Sequence, residues 1–257
     1  MISWHDLAAL ASGGLVGFTL GLIGGGGSIL ATPLLLYAVG VANPHVAIGT
    51  GALAVSANAY ANFIGHARKG HVWWRCAVVF ALVGSLGAAL GSSLGMLIDG
   101  KRLLFLFGLL MIVVALLMLR KGRDRVDRQR PVDLRMCLDT GLAALLTGAA
   151  SGFFGIGGGF LIVPALMLST GMPMISAIGT SLLAVGTFGL ATALNYARAD
   201  LVDWQVAIEF IAGGLGGGIL GMVLATKLSS HKNLLNRIFS GLVLLVAIYV
   251  IYRNRPF

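Results

Sequence analysis

The sequence predicts an all-α integral membrane protein built from two homologous repeats, each a Gly-broken helical segment plus three transmembrane helices. Three observations carry that expectation. Of 257 residues, 58% are hydrophobic and 11% charged, with a mean hydropathy of +0.94, whereas a soluble domain carries about 25% charged residues. Uncharged runs longer than about 18 residues recur, each long enough to cross a hydrocarbon core of roughly 30 Å. The first such run also has a counterpart later in the chain.

The segment GFTLGLIGGGGSILATPLLLYAVG begins at Gly17 and GAASGFFGIGGGFLIVPALMLSTG at Gly148. At an offset of 131 they match at Gly17/Gly148, Gly21/Gly152, Gly24/Gly155, Gly26/Gly157, Gly27/Gly158, Pro33/Pro164 and Gly40/Gly171. One residue is then lost and the match continues at 130, through AIGT at Ala47–Thr50 and Ala177–Thr180, Arg68/Arg198, Trp74/Trp204 and Gly84/Gly214. Repeat 1 therefore covers 1–119 and repeat 2 covers 136–257, with a basic linker at 120–135 between them.

Each repeat opens with a long uncharged stretch, Leu7–Asn43 and Thr140–Met172. From Leu7 to Gly40 is 34 residues, about 50 Å of helix at 1.5 Å per residue, more than one crossing even with tilt. Glycines lie near its middle, where helix is weakest, so each stretch reads as two short helices joined by a break, with Ser28 suited to start the second. Three apolar segments follow, at 45–66, 74–98 and 103–119, then at 174–196, 204–226 and 234–252. The total is 8–10 membrane segments. A hairpin at each break gives an odd number of crossings per repeat and inverted halves; a mere kink gives parallel halves. Length favours the inverted arrangement. Loop charge does not choose, since both leave the same 13 Lys and Arg count inside, and both place the linker 120–135, with seven of the 18 Lys and Arg, in the cytoplasm.

The net charge of +9 reads as that loop bias and not as a nucleic-acid surface. Cys76 and Cys137 form no CxxC motif, and the five histidines form no metal cluster. GxGGGF lacks a Rossmann strand pattern, and no P-loop lysine follows GGGGS. No cofactor, metal or catalytic residue is expected. The first apolar stretch lacks a basic leader and reads as retained.

The candidate substrate site is built from the breaks. A half-helix N-terminus presents unpaired N–H groups and partial positive charge, and glycine lets an anion approach them. Gly24, Gly25, Gly26, Gly27 and Ser28, with Gly155, Gly157, Gly158 and Gly159, are expected to face each other and cradle an oxyanion; the plainer alternative is that they only permit tight helix crossing. Thr50, Gly51, Thr180 and Ser181 are further candidates, against interhelical bonding. Asn58, Asn62 and Asn195 are amides inside apolar spans that need partners; they either line the path, Asn58 and Asn195 counting as substrate-site candidates, or join helices. Arg68 and Arg198, near Trp74 and Trp204, read as interfacial anchors or vestibule cations. Glu209 is the one acid plausibly inside a span and a candidate coupling group. Stripes at Gly84, Gly87, Gly91, Gly95 and Gly213–Gly221 read as helix packing, with a homodimer seam as a further use.

The doubled pattern GxxxGLIGGGGSILATPLLL and GxxSGFFGIGGGFLIVPALM, each followed by AIGT, resembles the TauE/SafE (TSUP) family of sulfite and organosulfur-anion exporters over about residues 10–252. The resemblance implies an inner-membrane permease for sulfite, sulfonates, sulfoacetate or related anions, with the family's glycine motifs at Gly24, Gly26, Gly27 and Gly155, Gly157, Gly158, Gly159. The expected partners are a small anion and the lipid bilayer. A membrane-embedded enzyme would need a nucleophile or buried acid constellation that is absent; an anion channel and a non-transporting assembly protein remain as alternatives.

Overall fold

A computed structural model describes residues 4–119, 134–155, 159–227 and 232–254. The linker from 120 to 133, together with Gly157 and Gly158, lies outside these described residues. Repeat 1 comprises α1 (Trp4–Ile23), a 3-10 helix (Gly24–Leu30), α2 (Ala31–Leu34) running into a π turn (Leu35–Val39), α3 (Pro44–Arg68), α4 (Trp74–Met96) and α5 (Gly100–Leu119). Repeat 2 comprises α6 (Leu134–Phe154), α7 (Gly159–Thr170), α8 (Met174–Arg198), α9 (Trp204–Lys227) and α10 (Lys232–Arg253). Helices α1 to α5 correspond in order to α6 to α10.

The long opening stretch is a hairpin. Helix α1 stops because Gly24 takes φ +74, a left-handed conformation that costs glycine nothing and other residues strain. The chain then returns along α1, so that His5 Nδ1, at the start of α1, lies 2.9 Å from the carbonyl of Val39 at the end of the return arm. Gly40 ends that arm at φ +89. Asn43 caps α3 by accepting the His45 N–H at 2.9 Å, with Pro44 in the first helical position. Repeat 2 repeats the chemistry: α6 stops at Gly155 with φ +65, and α7 ends at Gly171 with φ +72.

Two expectations need correction here. The first arm is no short helix: α1 has 20 residues, about 30 Å at 1.5 Å per residue, so the reversal comes at the far end of the hairpin. Ser28 does not start the second helix either. It lies within the 3-10 turn and its hydroxyl donates to the carbonyl of Gly25 at 2.8 Å.

The repeats are related by an approximate dyad through α3 and α8. Ser56 donates to the carbonyl of Gly186, its repeat equivalent, at 2.7 Å. On either side of that pair Tyr60 lies against Gly186 and Ala52 against Gly189, so rising number on α3 meets falling number on α8. The equivalent helices α3 and α8 are thus antiparallel. Around them α1 packs along α9, with Gly13, Gly17 and Gly21 on Phe210, Gly214 and Gly218, while α6 packs along α4, with Gly148 and Gly152 on Gly84 and Ala88. A Cβ on most of these glycines would collide with the facing backbone, so the small residues set the helix spacing. Most glycines of the predicted stripes are therefore used in seams within one chain, Gly216 being an exception that faces outward.

The outer surface suits lipid. On α4, Leu82, Leu86, Leu90 and Leu94 are all exposed at four-residue spacing, which puts them on one face. Among the described residues, Trp4–Val39, Trp74–Met96, Ile175–Arg198 and Trp204–Leu224 are long and apolar enough to cross a membrane. The chain is an all-α, multi-pass membrane protein.

Candidate functional site

The two breaks do not face each other across one depth. Gly24 abuts Ile178, in the first turns of α8, and Gly155 abuts Ile48, in the first turns of α3. Because α3 and α8 are antiparallel, these points lie at opposite ends of the molecule. The expectation of facing breaks fails for that reason. What meets in the interior is the chain after each break: the 3-10 segment Gly24–Leu30 packs against α7. All seven residues of that segment are buried, including Gly24, Gly25, Gly26, Gly27 and Ser28. Gly155 is buried and α7 begins at Gly159.

Thr50 and Thr180 are both fully buried, and their hydroxyl oxygens hold repeat-equivalent bonds. Thr50 accepts the N–H of Asp203 at 2.9 Å, where α9 starts. Thr180 accepts the N–H of Trp73 at 3.1 Å, where α4 starts. Each hydroxyl ties the middle helix of one repeat to a helix start in the other. Ser181 donates to Ile178 at 2.8 Å. Gly51 gives room to Leu35 of the return arm.

Asn58 is 0% exposed, yet among the described residues neither its Nδ2 nor its Oδ1 has a hydrogen-bond partner. Asn62 donates to the backbone carbonyl of Asn58 at 2.9 Å. Asn195 is committed to α4, donating to Ala89 O at 2.9 Å, Ser92 Oγ at 2.7 Å and Ser93 Oγ at 3.1 Å. Arg68 and Arg198 are exposed at opposite ends, each in its helix's last turn. Glu209 is half-buried on α9 and accepts from Gln205 Nε2 at 3.1 Å.

A cavity of about 720 Å³ opens at the end where α3 and α5 begin and α10 finishes, lined among others by Tyr37, His45, Asp99, Lys101, Arg253 and Asn254. Asp99 is occupied as the cap of α5, accepting the N–H groups of Lys101 and Arg102 at 3.1 and 3.3 Å. Asn254 donates to the Tyr37 hydroxyl at 2.7 Å, and the Arg253 guanidinium lies 5.7 Å from that ring's centroid. Two cations and two helix starts make this mouth attractive to anions. The sequence reading missed it, because Lys101 and Arg253 come from different repeats and look like ordinary helix-end charges.

Among the described residues, ten α-helices, two breaks at opposite ends and an antiparallel repeat relation make a multi-pass membrane protein, and its likeness to known proteins places it among membrane transporters. The chain belongs to the sulfite exporter TauE/SafE family, whose model matches residues 9–250. It is 70% identical over 250 residues to a "Probable membrane transporter protein" of Xylella fastidiosa strain 9a5c, covering 96% of this chain and 95% of that one. It is 26% identical to "Probable membrane transporter protein YunE" of Bacillus subtilis strain 168, over 94% of this chain and 96% of the relative. No solved structure matches it.

Proposed function

We propose that this protein is a secondary transporter of small sulfur-containing anions such as sulfite, sulfonates or sulfoacetate, working in the bacterial inner membrane. The observation that carries the reading is the meeting of the two return segments, Gly24–Leu30 and α7, inside the protein. Irregular backbone at membrane depth is tolerated where it is buried or lines a path. Here it brings glycine-rich backbone N–H groups inside without a side-chain cap on the 3-10 segment, and such groups bind anions. With an anion as cargo, outward movement from a negative-inside cell is downhill in charge, so no coupling ion is required.

The antiparallel repeats also suggest an orientation. The described helix ends Arg68, Leu119 and Lys227 belong to one end of the molecule in this arrangement, and the sequence stretches that adjoin them, 66–75, 120–135 and 227–237, hold 13 of the 18 Lys and Arg. The positive-inside rule assigns that end to the cytoplasm and the Lys101–Arg253 mouth to the opposite face. The test is sulfite and sulfonate flux in proteoliposomes, wild type against Gly26→Val combined with Gly157→Val. Flux should collapse in the double variant. Undiminished flux in a well-folded double variant would remove the glycine segments from the path.

A further inference from the structure

The dyad that relates the repeats does not relate their chemistry. Where α1 runs along α9, Asn58 of α3 lies directly over Gly214, and Asn62 lies over Gly218. At the equivalent seam, where α6 runs along α4, Phe188 of α8 lies over Gly84. Phe188 is the dyad mate of Asn58. It is fully buried and stacks on Phe80, with centroids 6.1 Å apart and planes 21° from parallel. One seam is thus filled by two phenyl rings, and the other holds an amide at the same place.

That amide is the most demanding polar group in the interior. It has two donor hydrogens and an acceptor oxygen, no exposure, and no partner for either atom among the described residues. Other buried polar groups without partners are the hydroxyls of Thr32, Ser151, Thr192 and Tyr196 and both ring nitrogens of His66. The Thr and Ser hydroxyls sit in helices, where rotation about one bond reaches the carbonyl a turn back, and a phenol or a neutral imidazole has one donor hydrogen against the amide's two. The Asn58 side chain has no such escape, because it faces the glycine backbone of α9. Nor is it held by Asn62, whose Nδ2 is bonded to the Asn58 backbone carbonyl instead. An unpaired amide in a low-dielectric interior is strongly unfavourable, so the site calls for an occupant.

We infer that Asn58 is the side chain that binds the transported anion, and that translocation is one-sided: the α1–α3–α9 seam carries the anion while the Phe80–Phe188 stack closes its dyad mate. Nδ2 donates to an oxygen of the anion, and Oδ1 accepts from water that accompanies it. This rests on the transport reading above and adds to it which seam is used and by which residue.

The experiment compares Asn58→Leu, Asn58→Asp and Phe188→Leu with wild type in proteoliposomes, measuring the concentration dependence of sulfite flux and the melting temperature with and without sulfite. Loss of one hydrogen bond to an anion should raise KM about tenfold to a hundredfold in Asn58→Leu and abolish the stabilisation by sulfite. Its ligand-free melting temperature should equal or exceed that of wild type, because an unpaired amide has been replaced by an apolar group of similar size. A helix-packing amide gives the reverse pattern, a lower melting temperature with KM unchanged. Asn58→Asp keeps the shape, adds a negative charge and should abolish flux; Phe188→Leu should keep KM within about twofold of wild type. Wild-type KM in Asn58→Leu, or a matching loss in Phe188→Leu, overturns the assignment. If Asn58→Leu does not fold, the KM of Asn58→Ser decides by the same criterion. A wild-type protein that moves neither sulfite nor any sulfonate overturns the transport reading and this inference with it, whereas normal wild-type flux with an unaffected Asn58→Leu overturns the seam assignment alone.

Discussion

Thr50 and Thr180 stitch the two repeats together from opposite ends, each by accepting a backbone N–H at the start of a helix in the other repeat. Removing the acceptor leaves a half-buried N–H without its partner, at a cost of about 1–3 kcal/mol. Thr50→Val should therefore lower the melting temperature, and Thr50→Ser should restore most of it, as read by thermal unfolding in detergent. If the hydroxyl instead contacts the ligand, Thr50→Val changes KM for sulfite and leaves the melting temperature alone. The charged mouth is a second residue-scale case. Lys101 and Arg253 are brought together across the repeats with Asp99 already used as a helix cap. Lys101→Glu with Arg253→Glu should slow sulfite uptake from that face severalfold at low salt, and the difference should shrink as ionic strength shortens the roughly 10 Å screening length. A salt-independent defect would mean that the pair acts through structure.

At the scale of helices, the glycines divide by what faces them. A Cβ on Gly17 would run into Gly214, and one on Gly148 into Gly84, whereas Gly216 has nothing within 4 Å. Gly17→Ala and Gly148→Ala should each destabilise by about 1–3 kcal/mol through forced separation of the helices, while Gly216→Ala should stabilise slightly, since alanine is the better helix former by about 1 kcal/mol. Equal effects at the three positions, measured by thermal unfolding, would show that the seams are looser than their spacing implies. The presence of the seams was legible in the sequence, because GxxxG spacing speaks of close backbones whatever the partner. Their partners were not: parallel packing of α1 on α9 and of α6 on α4 is a long-range fact that no local pattern carries. The breaks behaved likewise. Gly24 and Gly155 were legible as helix stops, but depth was not, because nothing in Gly24–Gly27 says whether the preceding helix has used half or all of its length. Interhelical bonding by Thr50 and Thr180 was among the readings the sequence allowed, but the partners were hidden for the same reason, since they lie 153 and 107 residues away.

For the molecule as a whole, the antiparallel relation of α3 and α8 has a consequence that charge counting alone could not reach. The repeat-equivalent loops at His66–Trp73 and Tyr196–Asp203 lie at opposite ends, since Gly49, near the start of α3, abuts Leu201 and Tyr196, whereas Gly179, near the start of α8, abuts His71. Loops of equal sequence ancestry must then meet different solvents when the helices cross a bilayer. In a protein freed of Cys76 and Cys137, single cysteines at Gly70 and Arg125 should label with a membrane-impermeant thiol reagent only from the cytoplasmic face, and those at Asp200 and Lys101 only from the other. The proposed orientation follows the same sense, because the stretches 66–75 and 120–135 together carry 10 of the 18 Lys and Arg. Labelling of Gly70 and Asp200 from the same side would require parallel repeats and would contradict the α3–α8 crossing itself. It would also cancel the separation of the two hairpin tips, on which the picture of an anion passed between return segments entering from opposite faces depends.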